Sequence, residues 1–198
     1  MSDFTKTGVE VDAWAVVTAA TIREGAIFDI PDDIGIAVEI TRCKVEAVAH
    51  DGKAYSIVEL SSNTTGDEDW TEFLSLQTQA ETAVATTLDA EATAAATTVP
   101  LTTTTNMETK GDKYLIKNGT PANSEIVRNN GSSTGVSITI LDGLTNTQQN
   151  GVGIFTTVEQ YSLSIPAEYR RGRVLTINND ADCDMMTRTR IAKITDIE

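Results

Sequence analysis

The chain reads as an all-β protein: a jelly-roll-like β-sandwich built from its N- and C-terminal segments, with a small β-barrel inserted between them. Three observations predict this. Short runs of alternating apolar and polar residues recur along the chain, and a period of two marks a half-buried strand. Turn-forming clusters punctuate the runs, among them Lys110-Gly111-Asp112, Asn118-Gly119-Thr120-Pro121, Asn129-Asn130-Gly131 and Asp142-Gly143. Finally, the strands flanking residues 97–150 do not divide into two self-sufficient sheets. The tail holds three, too few to bury a sheet face, and the N-terminal region holds five or six with an open edge. Packing both together gives one discontinuous sandwich of eight or nine strands, residues 1–96 plus 151–198, with the barrel at 97–150. On that reading the crossings near Ala96 and Asn150 lie close together.

The elements follow in order. Val9–Thr18 alternates around Trp14, and Ala26–Ile30 runs into Pro31 and a turn at Asp32-Asp33 with Gly35. Ile36–Ile40 and Lys44–Ala49 read as strands, and His50-Asp51-Gly52-Lys53 as a hairpin turn. Tyr55–Leu60 alternates again, a polar loop from Ser61 to Asp69 ends at Trp70, and Glu72–Leu76 resumes as strand. Gln77–Ala96 is rich in Ala, Thr and Glu; its threonines argue against helix through their restricted χ1, so it reads as an extended linker or irregular strand. The barrel strands are Lys113–Lys117, Glu125–Arg128 and Val136–Leu141. Beyond Gln148-Gln149-Asn150-Gly151 come Phe155–Ile165, Arg173–Asn178 and Met185–Ile194.

Composition narrows the function. The 198 residues suffice for a core without covalent staples. A formal net charge of -14 opposes a sequence-independent grip on DNA, which relies on Lys and Arg to displace counterions; it suits docking on a basic partner. No apolar run approaches the roughly 18 residues of a membrane span, and MSDFTKTGVEVD lacks the apolar region of a secretory signal. Cys43 and Cys183 are the only cysteines and sit in strand-like contexts. Buried reduced thiols are the expectation, a disulfide between an early and a late strand the alternative, and a Cys/His metal site is not expected.

Catalytic chemistry has little to work with. The single histidine, His50, lies in a turn, whereas a general base needs a positioned partner. There is no G-x-S-x-G elbow, phosphate-binding loop or dinucleotide fingerprint. No enzymatic activity and no cofactor are expected. Two acidic clusters invite comparison with calcium sites: Asp67-Glu68-Asp69, and Asp180, Asp182 and Asp184 after Asn178. The second sets oxygens at alternating positions but lacks the glycine and closing glutamate of an EF-hand loop. It reads as a solvated hairpin turn whose Cys183 begins the next strand.

The interaction candidates are cationic and aromatic. Arg170, Arg171, Arg173, Arg188 and Arg190 concentrate positive charge in an acidic chain. Alternation places Arg171 with Arg173, and Arg188 with Arg190, on one face of their strands. Pairing with neighbouring carboxylates is the first reading of them, a docking patch for an acidic subunit the second, and nucleic-acid contact the third. Trp14 and Trp70 are the only tryptophans, and both read as core anchors. Trp70, after its acidic loop, is also the candidate for a sugar-stacking platform.

Two blocks carry a family resemblance. GDEDWTEFLSLQT resembles a pattern in structural proteins of tailed bacteriophages, where a Gly-acidic-acidic-Trp turn precedes a strand. KGDKYLIKNGTPANSEIVRNNG with VSITILDGLTN resembles the small β-barrel that follows in those proteins, and RRGRVLTINNDADCDMMTRTRIAKI their paired final strands. The resemblance spans most of residues 20–194. It implies a non-enzymatic virion component in many symmetric copies, assembled in the host cytoplasm. Its partners would be other copies of itself and major capsid or neck and tail proteins, with no direct nucleic-acid or membrane contact. Capsid decoration or cement is the favoured role, a head–tail neck or tail-completion protein the alternative. Extended segments such as Thr78–Thr105 would add strands to a neighbour's sheet. From a different class, a carbohydrate-binding adhesive sandwich is the third reading, weakened by an aromatic content of only 5%.

Overall fold

The structure, a computed structural model, describes residues 4–31, 36–46, 54–66, 69–78, 85–105, 107 and 109–196. His50 and its expected hairpin turn, the turn at Asp32-Asp33, and Asp67 and Glu68 lie outside these residues.

The protein is an all-β sandwich with a second, barrel-like sheet. Its strands are β1 (Phe4–Val17), β2 (Thr21–Glu24), β3 (Phe28–Asp29), β4 (Ile36–Lys44), β5 (Ala54–Ser61), β6 (Thr71–Gln77), β7 (Ala85–Thr87), β8 (Thr98–Pro100), β9 (Lys113–Lys117), β10 (Glu125–Ser133), β11 (Ser137–Ile140), β12 (Gly153–Phe155), β13 (Val158–Ile165), β14 (Arg171–Asn178) and β15 (Met185–Asp196). All pairings are antiparallel.

Two sheets form the sandwich. Sheet A has the order β1-β15-β4-β13 and sheet B the order β2-β14-β5-β6, with β3 also on β14. Alternation sets their inner faces. Ile36, Val38 and Ile40 of β4, Ile165 of β13 and Ile191 of β15 meet Phe28, Val58, Leu60 and Val174 from sheet B in one core. At Gly172 an added Cβ would lie 2.5 Å from the Phe28 ring, so the absence of a side chain there lets that ring into the core.

The third sheet has the order β7-β12-β9-β10-β11-β8, and a bridge between Leu88 and Leu101 brings its two ends together. Its interior is filled by Leu88, Val99, Leu101, Met107, Tyr114, Ile116, Ile138, Ile140 and Ile154. It runs from Ala85 to Phe155, wider than the expected span of 97–150. Ala85 and Phe155 are register partners, so the chain passes into and out of the barrel on adjacent strands. Farther along, Ala92 and Gln148 exchange backbone hydrogen bonds of 2.9 and 2.8 Å.

A small third core seats the barrel on sheet A. Trp14 of β1, Cys43 and Val45 at the end of β4, and Met186 of β15 pack with Leu115 and Phe155 of the barrel. This explains why Tyr114, Leu115 and Ile116 are all buried. Tyr114 and Ile116 fill the barrel, while Leu115 between them faces the sandwich.

Several expected boundaries move. Of Ala26–Ile30 only Phe28–Asp29 is strand, as β3, and β2 at Thr21–Glu24 precedes it where no strand was expected. The expected linker supplies β7, because it completes the barrel sheet. Phe155–Ile165 divides at Thr156-Thr157, Phe155 going to the barrel and Val158 onward to sheet A. Asn129-Asn130-Gly131 is not a turn between strands but an irregularity within β10, where register shifts and Gly131 takes φ +90.

Candidate interaction surface

β14 and β15 belong to different sheets, so the arginine cluster of the sequence divides between the two outer faces of the sandwich. The inner positions of β14 are Gly172, Val174 and Thr176, leaving Arg171 and Arg173 outward. On β15 Ile191 points into the core, leaving Arg188 and Arg190 on the outer face of sheet A. Each pair shares a strand face, as alternation predicts; the two pairs do not form one patch.

Arg171 and Arg173 are committed locally. Their guanidinium carbons lie 5.0 and 4.6 Å from the centroid of the half-buried Trp70 ring. Arg171 Nε donates to Asn63 O at 2.7 Å and its Nη2 to Gly66 O at 2.6 Å, fastening the polar loop that precedes Trp70. Arg173 Nε donates to Glu59 Oε2 at 2.7 Å, its cross-strand neighbour. Asn63 Nδ2 donates to Asp69, drawing the same loop closed. The Trp70 ring thus serves as a seat for two guanidinium groups, which disfavours a sugar platform there.

Arg188 and Arg190 border a cleft. Arg188 stacks on Trp14, 4.9 Å from the ring centroid, and Trp14 itself is a buried member of the core under the barrel. Arg190 lies across from Glu39 on β4 and Glu10 on β1. Arg188 faces Thr41 instead, and its Nε is buried without a hydrogen-bond partner among the described residues. Burial, then the adjacent Arg190, hold the Arg188 pKa below the usual guanidinium value. One recess of about 250 Å³ is lined by Glu39, Thr41, Gln160, Arg188 and Arg190 among others. A second, of about 340 Å³, lies against the barrel and includes Lys113, Glu125, Arg128, Asp142 and again Gln160. Lys113 Nζ donates to Gln160 Oε1, linking barrel and sheet A across the cleft.

The acidic run at Asp180–Asp184 is a crossing between sheets, not a solvated hairpin turn, because β14 and β15 do not pair. Asp180 is fully buried, and its Oδ1 accepts from the backbone N–H groups of Asp182 at 2.8 Å and Cys183 at 2.9 Å. Asp184 Oδ1 accepts from Ala19 N at 2.9 Å. Asn178 Nδ2 donates to the carbonyls of Val17, Thr18 and Cys183. Asp180 and Asp184 therefore cap backbone donors, while Asp182 points to solvent. Among the described residues no group of three or more His, Cys, Asp or Glu converges into a metal-holding cluster. Both cysteines are buried free thiols, and burial pushes the Cys43 pKa up to about 12 and that of Cys183 upward as well.

Arg42 belongs to no motif in the sequence. It continues the inward series Ile36, Val38, Ile40 and is completely buried. Its Nε donates to Glu159 Oε2 at 2.5 Å, Nη1 to Ser56 Oγ at 3.1 Å and Leu76 O at 2.7 Å, and Nη2 to the Tyr161 hydroxyl at 3.2 Å. Glu159 and Tyr161 lie on sheet A, Ser56 and Leu76 on sheet B, so one guanidinium ties the two sheets together.

No protein-family model matches the chain, and no curated protein matches it. Among solved structures, the infectious bursal disease virus Gt strain is similar at 8% identity and TM-score 0.23, over 99% of this chain and 42% of that one. The VP2 subviral particle of the same virus gives 9% identity and TM-score 0.23, over 96% and 40%. VP17, a capsid protein of bacteriophage P23-77, gives 8% identity and TM-score 0.19, over 98% of both chains. The chain thus spans about two fifths of the length of the birnavirus chains. At these scores the likenesses have no bearing on how the cleft or the sheet edges work.

Proposed function

We propose that this chain is a non-enzymatic structural protein of a tailed-phage virion, assembled in the host cytoplasm, that decorates or cements the capsid. The observation that carries the reading is where the tailed-phage-like sequence blocks fall. The Gly-acidic-acidic-Trp block leads directly into β6, and β6 is an edge strand: among the described residues only β5 pairs with it. Every side chain of β6 is at least partly exposed, Phe73 at 39%. Phe73 is the extra residue of a register shift against β5, so the regular edge is Leu74–Gln77. A free row of backbone N–H and C=O groups accepts a strand from a neighbouring subunit. The described strands of Thr78–Thr105, by contrast, pair inside the barrel, so strand exchange is assigned to β6.

The second tailed-phage-like block supplies β9, β10 and β11 of the barrel, which is seated on sheet A through a shared apolar core. Such a subunit presents two modules at a set angle, as bridging between shell subunits requires. Its partners on this reading are further copies of itself and the major capsid protein.

The test is sedimentation of the purified chain with capsids lacking it and, separately, with isolated neck and tail complexes. Saturable co-pelleting with capsids supports decoration. Pelleting with necks or tails alone transfers the chain to the head–tail junction. Pelleting with neither, from a monomer by gel filtration, overturns the structural reading.

A further inference from the structure

We propose that the cleft between the barrel and the outer face of sheet A is a docking groove for an acidic, extended segment of a partner protein, with Arg188 and Arg128 as its carboxylate-binding groups. The proposal deepens the structural-protein reading and rests on it for the partner being another protein of the particle.

Shape comes first. The two recesses meet at Gln160, which lines both, so a segment laid across that residue reaches the two of them. Gln160 sits at this junction with a side-chain amide able to meet a peptide backbone.

Charge comes second. In a protein of net charge -14, the groove gathers Lys113, Arg128, Arg188 and Arg190. Of its three carboxylates, Glu125 is committed to the barrel. The Glu125 carboxylate accepts from Thr145 N at 2.8 Å, Asn146 N at 3.2 Å and Gln148 Nε2 at 2.7 Å. Glu39 lies opposite Arg190, and Asp142 is an exposed group on the barrel side. Neither Arg188 nor Arg128 forms an ion pair with a described carboxylate.

Arg188 comes third. Trp14 holds its guanidinium plane from behind, its Nε is buried and unpaired, and Arg190 is its near cationic neighbour. Arg188 is half-buried and already seated on a ring, so its guanidinium needs little further ordering to take a carboxylate from a partner. Nucleic acid is disfavoured as the occupant: three carboxylates border the groove and the whole chain repels a polyphosphate. A short acidic segment is favoured over it because the segment meets only the groove, whereas a polyphosphate extends past it over an acidic surface.

The test uses a fluorescein-labelled hexaglutamate peptide, read by anisotropy at low salt, with hexaglutamine as its neutral counterpart. The proposal expects hexaglutamate to bind and hexaglutamine not to. Arg128→Gln, at an exposed position, and Arg188→Gln should each weaken binding roughly tenfold or more, the scale of one charge-assisted hydrogen bond, and Arg173→Gln on the opposite face should leave it unchanged. In a Trp70→Phe background, the peptide should shift Trp14 emission, and Arg188→Gln should abolish that shift. Equal binding by the cleft variants and wild type overturns the proposal, as does competition by inorganic phosphate at the same concentration as the peptide. Capsid co-pelleting separates the two readings. If Arg128→Gln and Arg188→Gln chains pellet like wild type, the groove assignment fails and the structural role stands. If wild type does not pellet but binds hexaglutamate, the structural role fails and the groove stands.

Discussion

Replacing Arg42 with Met tests whether a single guanidinium holds the sandwich closed. Met keeps most of the side-chain volume and removes the charge. Removing one partner of a buried ion pair costs about 3–5 kcal/mol. The Glu159 side chain is 20% exposed, so water recovers part of its loss and the lower end applies, about 3 kcal/mol. Ser56 Oγ and Leu76 O also lose a donor, at about 1 kcal/mol each, and the added apolar contact of Met returns about 1 kcal/mol. The net expectation is about 3–4 kcal/mol, or a Tm lowered by roughly 6–16 °C for a chain of this size. Urea unfolding measures it: the midpoint should fall with the slope unchanged. Combining Arg42→Met with Glu159→Gln should cost clearly less than the sum of the two, because they share one interaction. A loss below about 1 kcal/mol, the scale of an ordinary substitution, or strict additivity of the pair, refutes the bridging role.

Three further outcomes are expected. Asn178→Ala removes one side chain bonded to three carbonyls at the crossing between sheets and should cost about 2–4 kcal/mol by urea unfolding. Gly172→Ala places a methyl 2.5 Å from the Phe28 ring and should destabilise by about 1–3 kcal/mol, with Phe28→Leu in the same chain recovering part of it. Cys43 should resist iodoacetamide at pH 8 in the folded protein and react once unfolded. Its folded pKa of about 12 exceeds the ordinary thiol value of 9.0, so the stability it contributes is whole below pH 9 and is lost as pH rises from there toward 12; the midpoint difference between wild type and Cys43→Ala across that range measures it.

The strands that were legible in the sequence are short apolar-rich runs bounded by turn-formers. Tyr55–Leu60 and Glu72–Leu76 fall within β5 and β6, and Lys113–Lys117 coincides with β9. The failures have particular causes. The Asn-Asn-Gly triplet carries every local sign of a turn, yet Asn129 is buried, donating to Met107 O at 2.8 Å and accepting from Gly131 N at 2.7 Å, and the chain remains in β10. Ala85–Thr87 has too little apolar character to announce a strand; its place is set by pairing with β12. DADCD resembles a hairpin turn locally, and only the topology reveals that its flanking strands lie in different sheets. Arg42 had one available signal: it falls in phase with Ile36, Val38 and Ile40, where a solvated arginine does not belong.

The groove is illegible in sequence for a stronger reason, which also constrains how it works. Its walls come from β4 around residues 39 and 41, from residue 113, from 125–128, from the turn near 142–145, and from 160–162, 188 and 190, brought together because the barrel covers only part of the outer face of sheet A. Trp14 belongs to both arrangements. One side of it packs in the core that seats the barrel, and Arg188 rests on its ring. The seat and the cationic wall therefore share a side chain. A change that loosens the seat, such as truncating Phe155, frees Trp14 and with it the guanidinium it orients. Conversely, a ligand that grips Arg188 bears on the contact that fixes the barrel. On the proposed reading, binding in the groove therefore bears on the seat of the barrel through one ring.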